Sequence, residues 1–350
     1  MVDILELIDY ARKNNCSDLH ITANLAPVFR KNGELFESEF KMTPQQNSDL
    51  IRSLLNDDQI ANLEKGIDVD FCYSTPEGFR QRVNVYKQQN HLCAAIRILY
   101  NKIPSFEELN LPPVIKKLAQ EPRGLILVTG ATGSGKSTTL AAMIDYINQT
   151  RRCHVITIED PIEYVYKHNK AMIHQREIGV DSVSFASSLR SALREDPDVI
   201  LVGEMRDLET ISAAVTAAET GHLVLSTLHT TGAASTIDRI IDVFPPHSQQ
   251  QIRSQLSTNL KGVISQELVP MKDESGRVVA LEILIGTDAV LNLIRSDKSF
   301  QLKSIMQTGS KDGMNTLNFY LANLVKQNKI TYEKGLEKAN DKSEYKQYFV

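Results

Sequence analysis

No two of the chain's four cysteines stand close together: Cys16, Cys72, Cys93 and Cys153 form no C-x-x-C pair. That spacing excludes a zinc ribbon and points to a reduced compartment. No apolar run approaches the length that a bilayer-spanning helix needs. The segment Met1-Val2-Asp3-Ile4-Leu5-Glu6 lacks the basic region and sustained apolar stretch of a secretory leader, so a soluble cytoplasmic protein is expected. Basic residues do not cluster either, and the net charge is −4. A dedicated nucleic-acid surface is therefore not expected, because neutralising phosphates needs concentrated positive charge. Hydrophobic residues make up 42% of the chain, enough for packed cores, and 350 residues suit two domains better than one.

What is present is a phosphate-binding pattern. Gly130, Ala131, Thr132, Gly133, Ser134, Gly135, Lys136 and Ser137 match G-x-x-x-x-G-K-[ST] in full, and Thr138 follows. A glycine-rich turn alone is ambiguous. Here an apolar run, 124–129, precedes the pattern, and an amphipathic helix with Leu140, Met143, Ile144 and Ile147 follows it. The glycines let successive N–H groups turn inward to phosphate oxygens, and the helix offers its positive end to the same anion. Lys136 then reaches the β- and γ-phosphates, and the Ser137 hydroxyl holds Mg²⁺. A nucleoside triphosphate, ATP, is the expected ligand.

The chain reads in three sections. Up to about residue 100 an α/β module is indicated: a helix from Ile4 to Ala11, a hairpin around Lys31-Asn32-Gly33-Glu34, a helix over 45–55, and β-rich runs over 68–73, 79–86 and 92–99. A Pro-rich polar stretch, 101–113, is the expected linker. The second section alternates apolar runs with helical patterns, which predicts a mostly parallel sheet with strands over 125–129, 154–158, 199–202 and 223–228. In the third, strands over 262–270 and 278–285 precede helices over 288–294, 301–306, 314–326 and 332–339.

Ligands of parallel sheets bind outside the carboxyl ends of the strands. At those ends the sequence delivers the phosphate loop, Glu159-Asp160-Pro161-Ile162-Glu163, Gly203-Glu204 and Thr227-Leu228-His229. Hydrolysis of a triphosphate needs a metal on the phosphates, an oriented water and donors for the departing γ-phosphoryl. Glu204 is placed to hold the Mg²⁺ shell or activate water, Glu163 is the alternative general base, and His229 can donate to the γ-phosphate. Taken singly, a carboxylate is more often a helix cap and a histidine a satisfied structural residue; convergence at one sheet edge favours chemistry. His222 starts its strand at the opposite edge, where a structural or interface role is expected.

At this point a resemblance becomes specific. Ser17-Asp18-Leu19-His20, the loop from Thr129 to Thr139, the acidic segment 156–164, the run 192–207 ending in Glu204-Met205-Arg206-Asp207, and the histidine segment 220–230 together resemble the secretion ATPase superfamily and, most closely, the PilT family of pilus retraction motors. The resemblance extends to about Lys326. It implies an α/β fold of two parts: a PAS-like N-terminal domain (1–100) joined through 101–113 to a RecA-like ATPase domain with C-terminal helices (114–350). It further implies a homohexamer with ATP and Mg²⁺ between subunits, at the cytoplasmic face of the membrane, working on a type IV pilus platform protein and pilin filament. Arginines of the N-terminal domain reach the nucleotide in that family. The matching positions are Arg80, Arg82 and Arg97, of which Arg80 and Arg82 share a strand face; a solvated polar face is the alternative from the residues alone.

The family's retraction motif reads Ala-Ile-Arg-Asn-Leu-Ile-Arg-Glu, whereas this chain has 289–296 with Leu291 and Ser296 at the two differing charged positions. Helical spacing puts Ala289, Leu293 and Ser296 on one face and Leu291 with Arg295 on another. The chain also lacks the N-terminal extension and four-cysteine cluster of the related assembly ATPases, which favours pilus disassembly. Two other readings stay open: a nucleotide-gated coupling module with little turnover, and a nucleic-acid translocase on the same fold.

Overall fold

In the computed structural model, which describes residues 2–31, 33–99 and 102–350, the chain forms two units, Met1–Lys102 and Ile103–Val350. The first opens with α1 (Ile4–Lys13), capped by Asp3, whose side chain accepts the Glu6 N–H at 2.8 Å. Strands β1 (Asp18–Ile21), β2 (Val28–Lys31) and β3 (Glu34–Glu37) follow, then α2 (Pro44–Arg52), α3 (Asp57–Glu64), β4 (Val69–Ser74), β5 (Arg80–Gln88) and β6 (His91–Ile98). Among the described residues they build one antiparallel sheet in the order β3-β2-β1-β6-β5-β4. Alternation sorts its faces: β5 buries Gln81, Val83 and Val85 and turns Arg80, Arg82 and Asn84 the other way. Leu7, Ile8, Leu50 and Ile51 pack with Leu19, Phe29, Val83 and Ile96 in the unit's core.

Two expectations need adjusting here. The helix expected over 45–55 ends at Arg52 because Asn56, in a capping box with Gln59, starts α3. The β2–β3 hairpin forms as expected, although Asn32 of its turn lies outside the described residues.

In the second unit the chain runs α4 (Pro113–Ala119), β7 (Gly124–Thr129), α5 (Lys136–Thr150), β8 (His154–Glu159), β9 (Met172–Glu177), α6 (Phe185–Ala192), β10 (Val199–Val202), α7 (Leu208–Glu219), β11 (Leu223–Leu228), α8 (Ala233–Asp242), α9 (Pro246–Asn259), β12 (Leu260–Pro270) and β13 (Arg277–Ile285). The helices α10 (Asp288–Arg295), α11 (Leu302–Thr308), α12 (Leu317–Lys326), α13 (Tyr332–Lys338) and α14 (Lys342–Gln347) complete it. The sheet order is β13-β12-β7-β11-β10-β8-β9, parallel throughout except for the β12–β13 hairpin. Successive residues of β7 and β10 point into two separate cores: Leu125, Leu127, Ile200 and Val202 into one, Ile126, Val128, Val199 and Leu201 into the other. Helices cover both faces, as a parallel sheet requires.

Of the stretch expected to link the domains, Asn101 lies outside the described residues, while Phe106 and Leu111 are buried with α4 and α5 in the second unit's core. The helix expected from Met314 begins at Leu317, because Thr316 caps it and Asn315 bridges back to Ile283. Ser296 falls outside α10 as its C-cap and is exposed, whereas Leu291 is half-buried against the core; the two differ in burial as well as in position.

Candidate nucleotide site

Strand β7 lies inside the sheet, fully buried, and ends at Thr129 directly before the phosphate loop. Gly130, Gly133 and Gly135 take φ of 141°, 77° and 90°, values that L side chains rarely adopt. A Cβ on Gly130 would overlap the Gln266 carbonyl oxygen and come within 2.6 Å of Ser134 Oγ. Gln266 also braces the loop with its side chain: Nε2 donates to Ser134 O at 2.6 Å, and Oε1 accepts from Thr139 Oγ1 at 2.9 Å. Lys136, the first residue of α5, donates from Nζ to Gly130 O and Ala131 O, each at 2.9 Å. Burial lowers the pKa of its ammonium, and the carboxylates of Glu163 and Glu204 oppose that shift. Ser134 Oγ is buried and has no hydrogen-bond partner among the described residues.

Beside the loop, β10 runs into Gly203-Glu204 and β11 into His229. The Glu204 carboxylate lies 2.8 Å from Arg206 Nε and 3.4 Å from His229 Nε2, with the Glu204 side chain only 20% exposed. Two bonds hold this corner: Thr227 Oγ1 donates to Gly203 O at 2.6 Å, and the Met205 N–H donates to Thr227 O at 3.0 Å. A cleft of about 510 Å³ opens here, lined by Thr132, Arg206, His229, Thr230 and Arg239 among others.

The next strand end carries Glu159. Its carboxylate accepts from Thr157 Oγ1 at 2.6 Å and from Gln175 Nε2 at 3.3 Å. Burial pushes its pKa up to about 7, against those hydrogen bonds. Four residues on, Glu163 is exposed, and Tyr164 OH sits 3.0 Å from Thr138 Oγ1 on α5.

In the first unit, strand register puts Arg82 directly opposite Arg97, Arg97 opposite Asp18, and Asp18 opposite Arg30. Arg97 Nε donates to Asp18 Oδ1 at 3.1 Å, and Arg30 Nε lies 3.9 Å from Asp18 Oδ2. Arg82 is exposed, Arg80 half-buried. The Asp18 carboxylate thus serves two arginines of this row, Arg97 and Arg30, on the sheet face opposite the helices.

A family model described as "Type II/IV secretion system protein" matches residues 4–341. The chain belongs to this family. It is 49% identical over 341 residues to the "Type IV pilus retractation ATPase PilT" of Pseudomonas aeruginosa, covering 97% of this chain and 98% of that protein. It is 48% identical over 316 residues to a "Twitching motility protein" of Neisseria gonorrhoeae, covering 90% of this chain and 84% of the relative. Among solved structures, the "Crystal Structure of the Pilus Retraction Motor PilT and Bound ADP" superposes with a TM-score of 0.93 at 48% identity, covering 99% of this chain and all of that one. The α/β fold read from the sequence is therefore that of this secretion-system family.

In this family member the structure brings Glu204 and His229 into contact and sets Glu163 and Glu204 within electrostatic reach of Lys136. His222 stands apart, its Nδ1 2.9 Å from Ala217 O at the far end of β11. Arg80, Arg82 and Arg97 belong to the first unit. Sequence reasoning gave no role to Arg206, Gln266, Gln175 or Tyr164. The spacing of Arg206, two residues after Glu204, was a usable signal. Gln266 gave none, since its partner Ser134 is 132 positions away.

Proposed function

We propose that the chain is the ATP-hydrolysing motor that drives retraction of a type IV pilus, working as a homohexamer. The observation that carries the reading is the meeting of a complete phosphate loop with the Glu204–His229 pair at one edge of the sheet, in a chain matched along 97% of its length by a relative named as a retraction ATPase. The N–H groups of Gly130, Ala131, Thr132, Gly133 and Gly135 cradle the phosphates, while the Ser134 N–H stays on Ala131 O at 3.2 Å and shapes the turn. Lys136 donates to two loop carbonyls and exchanges them for the β- and γ-phosphates when nucleotide binds. Ser137, exposed on the first turn of α5 beside Thr138, and Glu204 at the end of β10, two strands from β7, would supply hard oxygen donors that suit Mg²⁺. When bound, the ion neutralises charge on the β- and γ-oxygens.

Glu163, exposed and close enough to Lys136 to oppose the lowering of its pKa by burial, orients the attacking water and takes its proton. His229 donates to the γ-phosphoryl, and Glu204 holds its imidazole toward the site. Arg82 and Arg97, with Arg80 beside them, supply positive charge from the N-terminal domain of a neighbouring subunit, as the ring arrangement requires. The ring works at the cytoplasmic face of the membrane, against the platform protein and the pilin filament. Among the described residues no helix is long and apolar enough to cross a membrane.

Lys136→Ala should abolish ATP binding, and Glu204→Gln should bind ATP but stop turnover, because it removes a group needed in the transition state. Near-normal turnover by Glu204→Gln would overturn the site assignment. Expression in a strain lacking its own retraction motor should restore twitching; an active ATPase that restores none would remove retraction as the task.

A further inference from the structure

The segment that carries Glu163 has neither helix nor strand between β8 and β9, so its course depends on individual bonds. The later part, 167–171, is held by Asn148, while the part next to Glu163 is held by Gln175. This residue of β9 lies in register with Thr157 of β8, two positions before Glu177 on the same face. Its Nε2 donates to Tyr164 O at 2.8 Å and to Glu159 Oε1 at 3.3 Å, while its Oε1 accepts the Tyr166 N–H at 2.9 Å. Glu159 in turn accepts the N–H of Glu163 itself. One residue before Glu163, the Ile162 N–H donates to Glu177 Oε2 at 3.2 Å.

The amide of Gln175 therefore grips the backbone just after Glu163 and, through Glu159, the backbone of Glu163. Tyr164, gripped at its carbonyl, reaches with its hydroxyl to Thr138 on the helix that leaves the phosphate loop. We infer that Gln175 is a positioning residue for Glu163: its side-chain amide sets the placement of that carboxylate relative to the phosphate loop. The inference rests on the reading of Glu163 as the base. Gln175 need not touch nucleotide for this to matter, because misplacing a catalytic group by about 1 Å can cost on the order of 10²-fold in rate.

Gln175→Met keeps the size of the side chain and removes its strong donor and its acceptor. Turnover should fall by about 10- to 100-fold, while KM for ATP and affinity for a fluorescent ATP analogue stay within about twofold, since the phosphate loop is untouched. Gln175→Glu retains the acceptor for Tyr166 but loses the donor, and should also slow turnover with KM held. A double-mutant cycle separates positioning from general support. Added to Glu163→Gln, either change should cost nothing further in the residual turnover measured with radiolabelled ATP, because its effect passes through a carboxylate already removed. A folded Gln175→Met protein with wild-type turnover, beside an inactive Glu163→Gln, would overturn this inference alone. A further fall in the Glu163→Gln background, or weakened binding of the analogue, would do the same. Normal turnover by Glu163→Gln would overturn the assignment of the base and this inference with it. Should Gln175→Met fail to fold, Gln175→Glu carries the cycle.

Discussion

Replacing Glu159 by Gln should change how stability depends on pH. Burial raises the Glu159 carboxyl from 4.5 to about 7 in the folded chain, opposed by hydrogen bonds from Thr157 and Gln175. The folded state thus holds the proton more tightly than the unfolded state does. The contribution of this group to stability is complete below about 4.5, is lost as pH rises through about 7, and stays lost above it. At about 1.4 kcal/mol per unit, the full shift corresponds to an upper bound on the order of 3 kcal/mol. In Glu159→Gln the side-chain oxygen can still accept from Thr157 Oγ1, and nothing titrates. Urea unfolding of both proteins, followed by circular dichroism or by tyrosine emission in this tryptophan-free chain, should be measured in steps across that pH range. The wild-type stability minus that of the variant should decline between about pH 4.5 and 7 and then level off. Titrating groups that do not interact with Glu159 cancel in the difference, and Glu163, which does, adds to the same upward shift. A difference that is flat across the range would refute the argument, and one that rises with pH would reverse its sign.

Arg82→Ala or Arg97→Ala should lower kcat by about 10²-fold, as removal of an arginine finger does, with the circular dichroism spectrum unchanged. Because the Arg97 side chain is 65% exposed and the more buried Asp18 keeps Arg30 Nε at 3.9 Å, loss of the Arg97–Asp18 pair should cost on the order of 1 kcal/mol of stability; a mutant monomer hydrolysing ATP at the full rate would remove the shared-site model. Leu291→Arg with Ser296→Glu should leave ATPase activity within about twofold, typical of changes away from a site, and improve retraction in a strain lacking its own motor. The half-buried Leu291 should make the double change about 1 kcal/mol less stable; if the unaltered chain already restores full retraction, these two positions do not set the task.

Local chemistry explains which parts could be read in advance. The phosphate loop, the four inner strands and the hairpin announce themselves through glycines, apolar runs and Asn-Gly, all signals contained within a few residues. Strand β9 stayed hidden because Met172-Ile173-His174-Gln175-Arg176-Glu177 is mostly polar, as befits the outermost strand of a sheet, with Ile173 its one buried hydrophobic residue. The same strand supplies Gln175 and Glu177, so missing it also concealed what holds Glu163. The boundary between α2 and α3 turned on a capping box at Asn56, easily lost inside a continuous helical pattern. Convergence of Glu204 and His229 followed from strand ends alone, whereas Arg206 and Gln266 act through contacts that the linear pattern does not rank.

The brace between Gln266 and Ser134 bears on how the chain acquires its site during synthesis. The strand that presents the loop pairs with β12, and the two residues that meet there are 132 positions apart. A ribosome must therefore add roughly two thirds of the second unit before the loop can be shaped. Pairings this distant in sequence form slowly, and they leave the neighbouring strands waiting with unpaired edges. Nucleotide, which stabilises only the state that binds it, offers no help to the nascent chain until β12 has docked. From then on each bound molecule favours the completed unit over every partly folded one.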